Sequence, residues 1–148
     1  MTGSAPAPLA GEPAGRALEQ LAAAMGAAGG ALAELAERLD RSAPVPLEPG
    51  TAPARAEAFT CAWAGSQLHA GLQRPLPCPE LELALLAGDW LYARALELLA
   101  HDGDLVAIDL LAQAIAACAG ANFAPDSSRP GAAPNTWQNA ARGLATAV

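Results

Sequence analysis

The sequence predicts an all-α chain, a helical bundle of four or five helices. Three observations carry this. Hydrophobic residues make up 53% of the 148 positions, with alanine the commonest of them and aromatics only 4%. Alanine has the highest helix propensity and a minimal apolar side chain, which favours closely approaching helices and a thin core. The apolar residues recur at helical spacing over long stretches, and the 13 prolines and 14 glycines cluster between those stretches. The length suits one domain with its own core.

Residues 1–15 (with APAPLAGEPAG) are rich in Pro, Ala and Gly and are expected to be a disordered tail. The tail has no positive cluster followed by an apolar run and does not read as a signal peptide. A helical domain is expected over residues 16–122. In its first helix, residues 16–40, Leu18, Met25, Leu32 and Leu39 recur every seven positions, with Leu21, Ala28 and Leu35 between them. That stripe suits packing on another helix, and its three heptads favour packing inside the protein over an independent coiled coil. Gly26, Gly29 and Gly30 weaken its middle by about 1 kcal/mol each relative to alanine. They mark either a kink or a place where a partner helix comes close.

Residues 41–54 (RSAPVPLEPGTAPA) form a linker. A second helix follows over residues 55–72, with Phe59, Trp63 and Leu68 as its large apolar residues, until Pro75, Pro77 and Pro79 stop it. Pro79 suits the first turn of the next helix, and Glu80 and Glu82 favour its positive end. Over residues 80–101 that helix sets Leu81, Leu85, Tyr92, Ala95, Leu96 and Leu99 on one broad face. Asp102-Gly103-Asp104 breaks it, and Asp104 is a good N-cap for residues 105–119. This fourth helix is apolar nearly all round, interrupted by Asp109 and Gln113, so it is either central in its own fold or covered by another chain. Residues 123–148 read as a loop-like segment with a possible short helix from Asn135, carrying Trp137 and Leu144.

Eight arginines, fifteen acids and no lysine give a net charge of −7. Nucleic acid is therefore an unsuitable partner, since no basic stripe exists to neutralise phosphates. Cys61, Cys78 and Cys118 lack CxxC spacing, and an odd number fits reduced thiols. No stretch reaches the roughly 18–20 charge-free apolar residues of a transmembrane helix. A cytoplasmic location is expected.

Few residues suggest chemistry. Asp89 is set into an apolar face and needs a partner, either Arg94 or a group on a neighbouring helix. His69 has no Cys, Ser or carboxylate at useful spacing nearby, which favours a structural role. His101 falls in the last turn of its helix, where it complements the dipole. Glu80 and Glu82, two apart, share no helix face and are no metal pair. Cys61-Ala62-Trp63 has no redox or zinc spacing. Trp63, Trp90 and Tyr92 read as core or interface anchors.

A longer string does carry a resemblance. Leu86-Ala87-Gly88-Asp89-Trp90-Leu91-Tyr92-Ala93-Arg94-Ala95-Leu96, a turn, and then Asp109-Leu110-Leu111-Ala112-Gln113-Ala114-Ile115 resembles the LAGDYLLARAL helix and its successor in trans-polyprenyl diphosphate synthases. Those are all-helical enzymes that add isopentenyl diphosphate units to an allylic diphosphate. The likeness spans about residues 57–118 and rests most on Gly88, Asp89, Trp90 and Leu91. It implies a truncated isoprenoid-synthase-like bundle.

In that family, the upstream helix ends near serine, leucine and histidine, followed by DDxxD. Here Ser66-Gln67-Leu68-His69 is followed by Ala70-Gly71-Leu72-Gln73-Arg74, so Ala70, Gly71 and Arg74 replace the three aspartates. The reaction needs Mg²⁺ held by carboxylates to neutralise the departing diphosphate. Alanine and glycine offer no ligand, and arginine cannot replace a metal ligand, although it could meet a phosphate directly. The basic substrate loop is reduced to Gln73-Arg74-Pro75, and the second aspartate-rich motif lies beyond the end of this chain.

Some relatives pair a catalytic large subunit with a small, motif-free one. The resemblance therefore implies a non-catalytic accessory subunit of a heterodimeric synthase for long prenyl chains such as quinone side chains. It would bind no cofactor of its own, with Mg²⁺ on the catalytic partner. Leu85, Leu96, Leu99, Ile108, Leu111 and Ile115 are the candidate partner or tunnel face. Two other readings stay open: a self-associating helical scaffold, and a split site in which Arg74 or Asp89 reaches a diphosphate.

Overall fold

The computed structural model describes residues 12–123 and 134–148. Every regular element in them is helical: α1 (Glu12–Ala28), α2 (Gly30–Ala36), α3 (Pro53–His69), α4 (Leu81–His101), α5 (Leu105–Phe123) and α6 (Pro134–Thr146). The all-α class is as expected, and the six helices exceed the expected four or five. None is long and apolar enough to cross a membrane among the described residues.

The extra helix comes from a glycine break. The expected single helix over residues 16–40 divides because Gly29 and Gly30 take φ of 75° and 59°, a left-handed conformation that glycine adopts without steric cost. An added Cβ at Gly26, Gly29 or Gly30 would meet no atom within 4 Å. The glycines therefore make a kink rather than a close approach. The stripe survives it, with Leu18, Leu21, Met25, Leu35 and Leu39 buried and Leu32 half-buried, whereas Ala28 is exposed.

Several boundaries move: α3, expected over residues 55–72, spans Pro53–His69, and α5, expected to end at residue 119, runs to Phe123. Helix α1 starts at Glu12, so residues 12–15 of the expected tail are its first turn, and Ala14 is buried. The rest of that tail, and residues 124–133 of the expected C-terminal loop, lie outside the described residues. Helix α4 starts at Leu81 with Glu80 as N-cap, which places Pro79 just before the helix and not in its first turn. The irregular connection after α2 packs as part of the body, with Ala43, Val45 and Thr51 buried.

Helix α3 is the central element, packed against α1, α4, α5 and α6. Its two buried hydroxyls stay satisfied within the helix: Thr60 Oγ1 donates to the Ala56 carbonyl at 2.8 Å and Ser66 Oγ to the Trp63 carbonyl at 2.7 Å. Such local bonding lets polar residues enter a core without losing a partner. Phe59 meets Trp137 of α6 edge to face, with ring centroids 5.7 Å apart, and Leu144 of α6 is also buried.

Candidate functional site at the α3–α4 crossing

The family-like string occupies α4, and its glycine has a packing reason. Gly65 of α3 and Gly88 of α4 face each other where the helices cross. A Cβ on Gly65 would stand 2.9 Å from the Gly88 carbonyl oxygen and 3.1 Å from the Tyr92 ring; one on Gly88 would collide with the His69 ring. The absence of both side chains lets the backbones touch.

His69 fills the space beside that crossing. Its Nε2 lies 3.0 Å from the Leu85 carbonyl oxygen and 3.1 Å from Asp89 Oδ1. Both are acceptors, so an Nε2–H tautomer donates to the two of them. The ring stands edge-on to Tyr92 with centroids 5.0 Å apart. Burial, followed by the proximity of Cys118 and Asp89, pushes the Tyr92 phenol well above its ordinary range. The partner of Asp89 is thus a group on the neighbouring helix and not Arg94. Asp89 lies at the rim of the crossing with its side chain 70% exposed, which corrects the expectation of an acid set into an apolar face.

Arg94 instead approaches Glu57 at 3.8 Å and Glu97 at 3.7 Å, and its buried Nε has no hydrogen-bond partner. It borders a groove of about 230 Å³ between α1 and α4, lined by Ala24, Ala27, Trp90 and Ala93, smaller than the roughly 300 Å³ at which ligand clefts begin. Trp90 is half-buried there, and Leu91 is fully buried in the core.

Ala70, Gly71 and Arg74, the positions where the resemblance would set aspartates, follow α3 directly. Ala70 caps its C-terminus and Gly71 makes the turn with φ 75°. Arg74 turns back to the connection that follows α2, where its Nε donates to Asp40 Oδ2 at 2.8 Å. Hydrogen bonds from Ser42, then Arg74, hold the Asp40 carboxyl below its usual range. These positions do not fit a divalent cation, because they supply no ligand oxygen from a side chain and place a guanidinium nearby. No group of three or more His, Cys, Asp or Glu side chains able to hold a metal occurs among the described residues.

The six residues expected to form a partner or tunnel face do not share one open surface. Leu99 and Leu111 are fully buried in the chain's own core; Leu96, Ile108 and Ile115 are half-buried; Leu85 is exposed. The face expected for α4 is rotated accordingly: Ala84, Ala87, Gly88, Leu91, Ala95 and Leu99 turn inward, and Leu81 and Leu85 turn outward. Gly88 takes the inward side at the close crossing with Gly65, Ala84 and Ala87 flank it, and Leu91 and Leu99 are buried farther along the helix.

The cysteines are free and buried, and Cys118 is a core residue as expected. Burial, with Glu57 nearby, pushes the Cys61 thiol up to about 12, which leaves it unreactive near neutral pH.

One structural site was absent from the sequence reading. Arg55, in the first turn of α3, donates from Nε and Nη2 to the two carboxylate oxygens of Asp104 at 2.6 and 3.0 Å. Its Nη1 also donates to the carbonyls of Leu144 and Ala147, at 2.9 and 2.8 Å. Asp104 caps α5 as expected, accepting from the Ala107 amide at 3.1 Å. One guanidinium thus joins the starts of α3 and α5 to the end of α6. With 49 positions between Arg55 and Asp104, no local spacing signals the pair.

Compared with known protein families, with curated proteins and with solved structures, the chain has no match.

Proposed function

We propose that this chain is a non-catalytic accessory subunit of a heterodimeric trans-polyprenyl diphosphate synthase, supporting synthesis of long prenyl diphosphates. The observation that carries the reading is the pairing of a family-like helix with lost chemistry. The string around Gly88 and Asp89 serves the α3–α4 crossing, while the adjacent positions Ala70, Gly71 and Arg74 offer no carboxylate for Mg²⁺. In this reading the scaffold of the family is retained and its metal chemistry resides in the partner. Docking would use the exposed sides of α4 and α5, where Leu81, Leu86, Leu105 and Val106 stand open.

The test is co-purification and a product-length assay. A polyprenyl synthase from the same organism, carrying both aspartate-rich motifs, is expressed with and without this chain and supplied with isopentenyl diphosphate, an allylic diphosphate and Mg²⁺. A stoichiometric complex whose products are longer, or whose turnover appears only with this chain present, is expected. A synthase that neither binds the chain nor changes its products would sink the reading. Arg74→Ala is expected to leave turnover of the complex intact, because Arg74 is engaged with Asp40; loss of turnover with an intact complex would favour a split site.

A further inference from the structure

The charge of the chain is unevenly placed. Residues 80–120 hold seven carboxylates against one arginine, Arg94, so the α4–α5 hairpin carries −6 of the total −7, while the rest has eight acids and seven arginines. Glu80 and Asp104 are met by Arg38 and Arg55 from outside the hairpin. Glu82, Asp89, Asp102 and Asp109 meet no arginine among the described residues.

Two of those four bracket an apolar patch. Leu85 and Leu86 are 41% and 68% exposed on the outward side of α4, and Leu81, one turn earlier, is 67% exposed. Glu82 lies three and four positions before Leu85 and Leu86, and Asp89 four and three after them, so each carboxylate neighbours both leucines on the helix surface. The exposed leucine side chains are not what α4 packs with, since it packs through Ala84, Gly88 and Leu91; on the rim, Asp89 meets His69 through Oδ1 with its side chain 70% exposed. A second copy of the chain would be a poor occupant. An isologous contact sets like patch against like, placing Glu82 and Asp89 beside their own equivalents, and like charges brought together oppose pairing.

We propose that the outward side of α4 over residues 81–89 is a docking surface for an amphipathic helix of a different protein, one whose leucine-type stripe is flanked by lysine or arginine. Leucines would fill the patch, and basic residues on its rim would pair with Glu82 and Asp89. The patch covers about 13 Å of helix, the scale of a helix-on-helix contact. This goes beyond the accessory-subunit reading, because charge fixes the chemistry of the complementary surface whichever protein carries it.

The probes are two synthetic peptides of helical length with the same leucine stripe, one flanked by lysine and arginine, the other by glutamate. Binding to the full chain is followed by fluorescence anisotropy at low and high NaCl, beside sedimentation of the chain alone. The basic peptide is expected to bind at least about tenfold more tightly, the scale of one well-placed contact, with a gap that narrows as salt screens the rim. Glu82→Lys should erase or invert the preference, and Leu86→Ser should weaken the basic peptide by about tenfold. Both positions are exposed, so unfolding curves should match wild type. Equal affinity for the two peptides, absence of binding, or indifference to either substitution overturns the proposal. So does a dimer of the chain that Leu86→Ser dissociates. A synthase that fails to co-purify overturns the accessory-subunit reading alone.

Discussion

Helices α3 and α5 are similar in length, 17 and 19 residues, and opposite in surroundings. In α3, eleven residues are buried, two hydroxyls among them. In α5 the inward stripe is Ala107, Leu111, Ala114 and Cys118, while Leu105 and Val106 at its start stay 76% and 46% exposed. Yet α5 is the more continuously apolar of the two, and α3 carries Arg, Glu, Thr, Ser and Gln. The difference lies in neighbours. α3 has α1, α4, α5 and α6 around it, whereas α5 packs mainly on α3, α4 and α6 among the described residues. Apolar content makes a helix able to be buried; the number of helices that surround it decides whether it is.

The sharpest way to break this contrast is to remove large side chains from each helix in turn. Phe59→Ala in α3 deletes a fully buried ring against Trp137 and should cost about 3–5 kcal/mol in urea unfolding. Leu105→Ala in α5, the counterpart test, is taken up below; comparable losses from the two would mean that α5 is covered in solution.

Arg55→Met is next in size. It leaves Asp104 and two carbonyls near the end of α6 without their donor, with an expected loss of about 2–4 kcal/mol. Amide exchange should rise first in α6, because that helix loses its tie to α3; uniform exchange across the molecule would argue against the clamp. Gly65→Ala should cost about 1–3 kcal/mol by overpacking, since its Cβ would sit 2.9 Å from backbone. Gly15→Ala, which meets nothing within 4 Å, is the control, and equal effects would refute the close crossing.

Acid should act through the same clamp. The Arg55 guanidinium, partly countered by desolvation, holds the Asp104 carboxyl below its ordinary range. A carboxylate lowered in the folded state stabilises above its unfolded pKa, roughly 4, and that contribution fades as pH falls through the lower folded value. Stability is therefore expected to decline below about pH 4, with a smaller decline in Asp104→Asn measured by urea midpoints. An identical pH profile in that variant would remove Asp104 from the account. Leu105→Ala should give the smallest effect, within about 0.5 kcal/mol.

Helix existence was well read from periodicity. The three central helices in chain order (α3, α4 and α5) lie within a few residues of their expected spans, because Pro75, Pro79 and Asp102-Gly103-Asp104 punctuate them locally. The division at Gly29 was half legible: glycine signals a break or a close approach, and only the open space around it selects the break. The His69–Asp89 contact joins residues 20 apart through the crossing of two helices. Neither residue points to the other by spacing, so it lay outside the reach of local patterns.

By itself, the sequence determined the all-α class, the main helices, the N-cap at Asp104 and the net acidic charge, since propensity, capping and charge are read from the residues themselves. Tertiary structure alone decided which side of α4 turns inward, which helix is central and which arginine holds three chain segments together. Those outcomes depend on what lies across the interface. Ala84, Gly88 and Leu91 are inside because Gly65 lets α3 come close, and of the leucines that single-helix periodicity assigns to the inward face Leu99 is buried while Leu81 and Leu85 are left facing water.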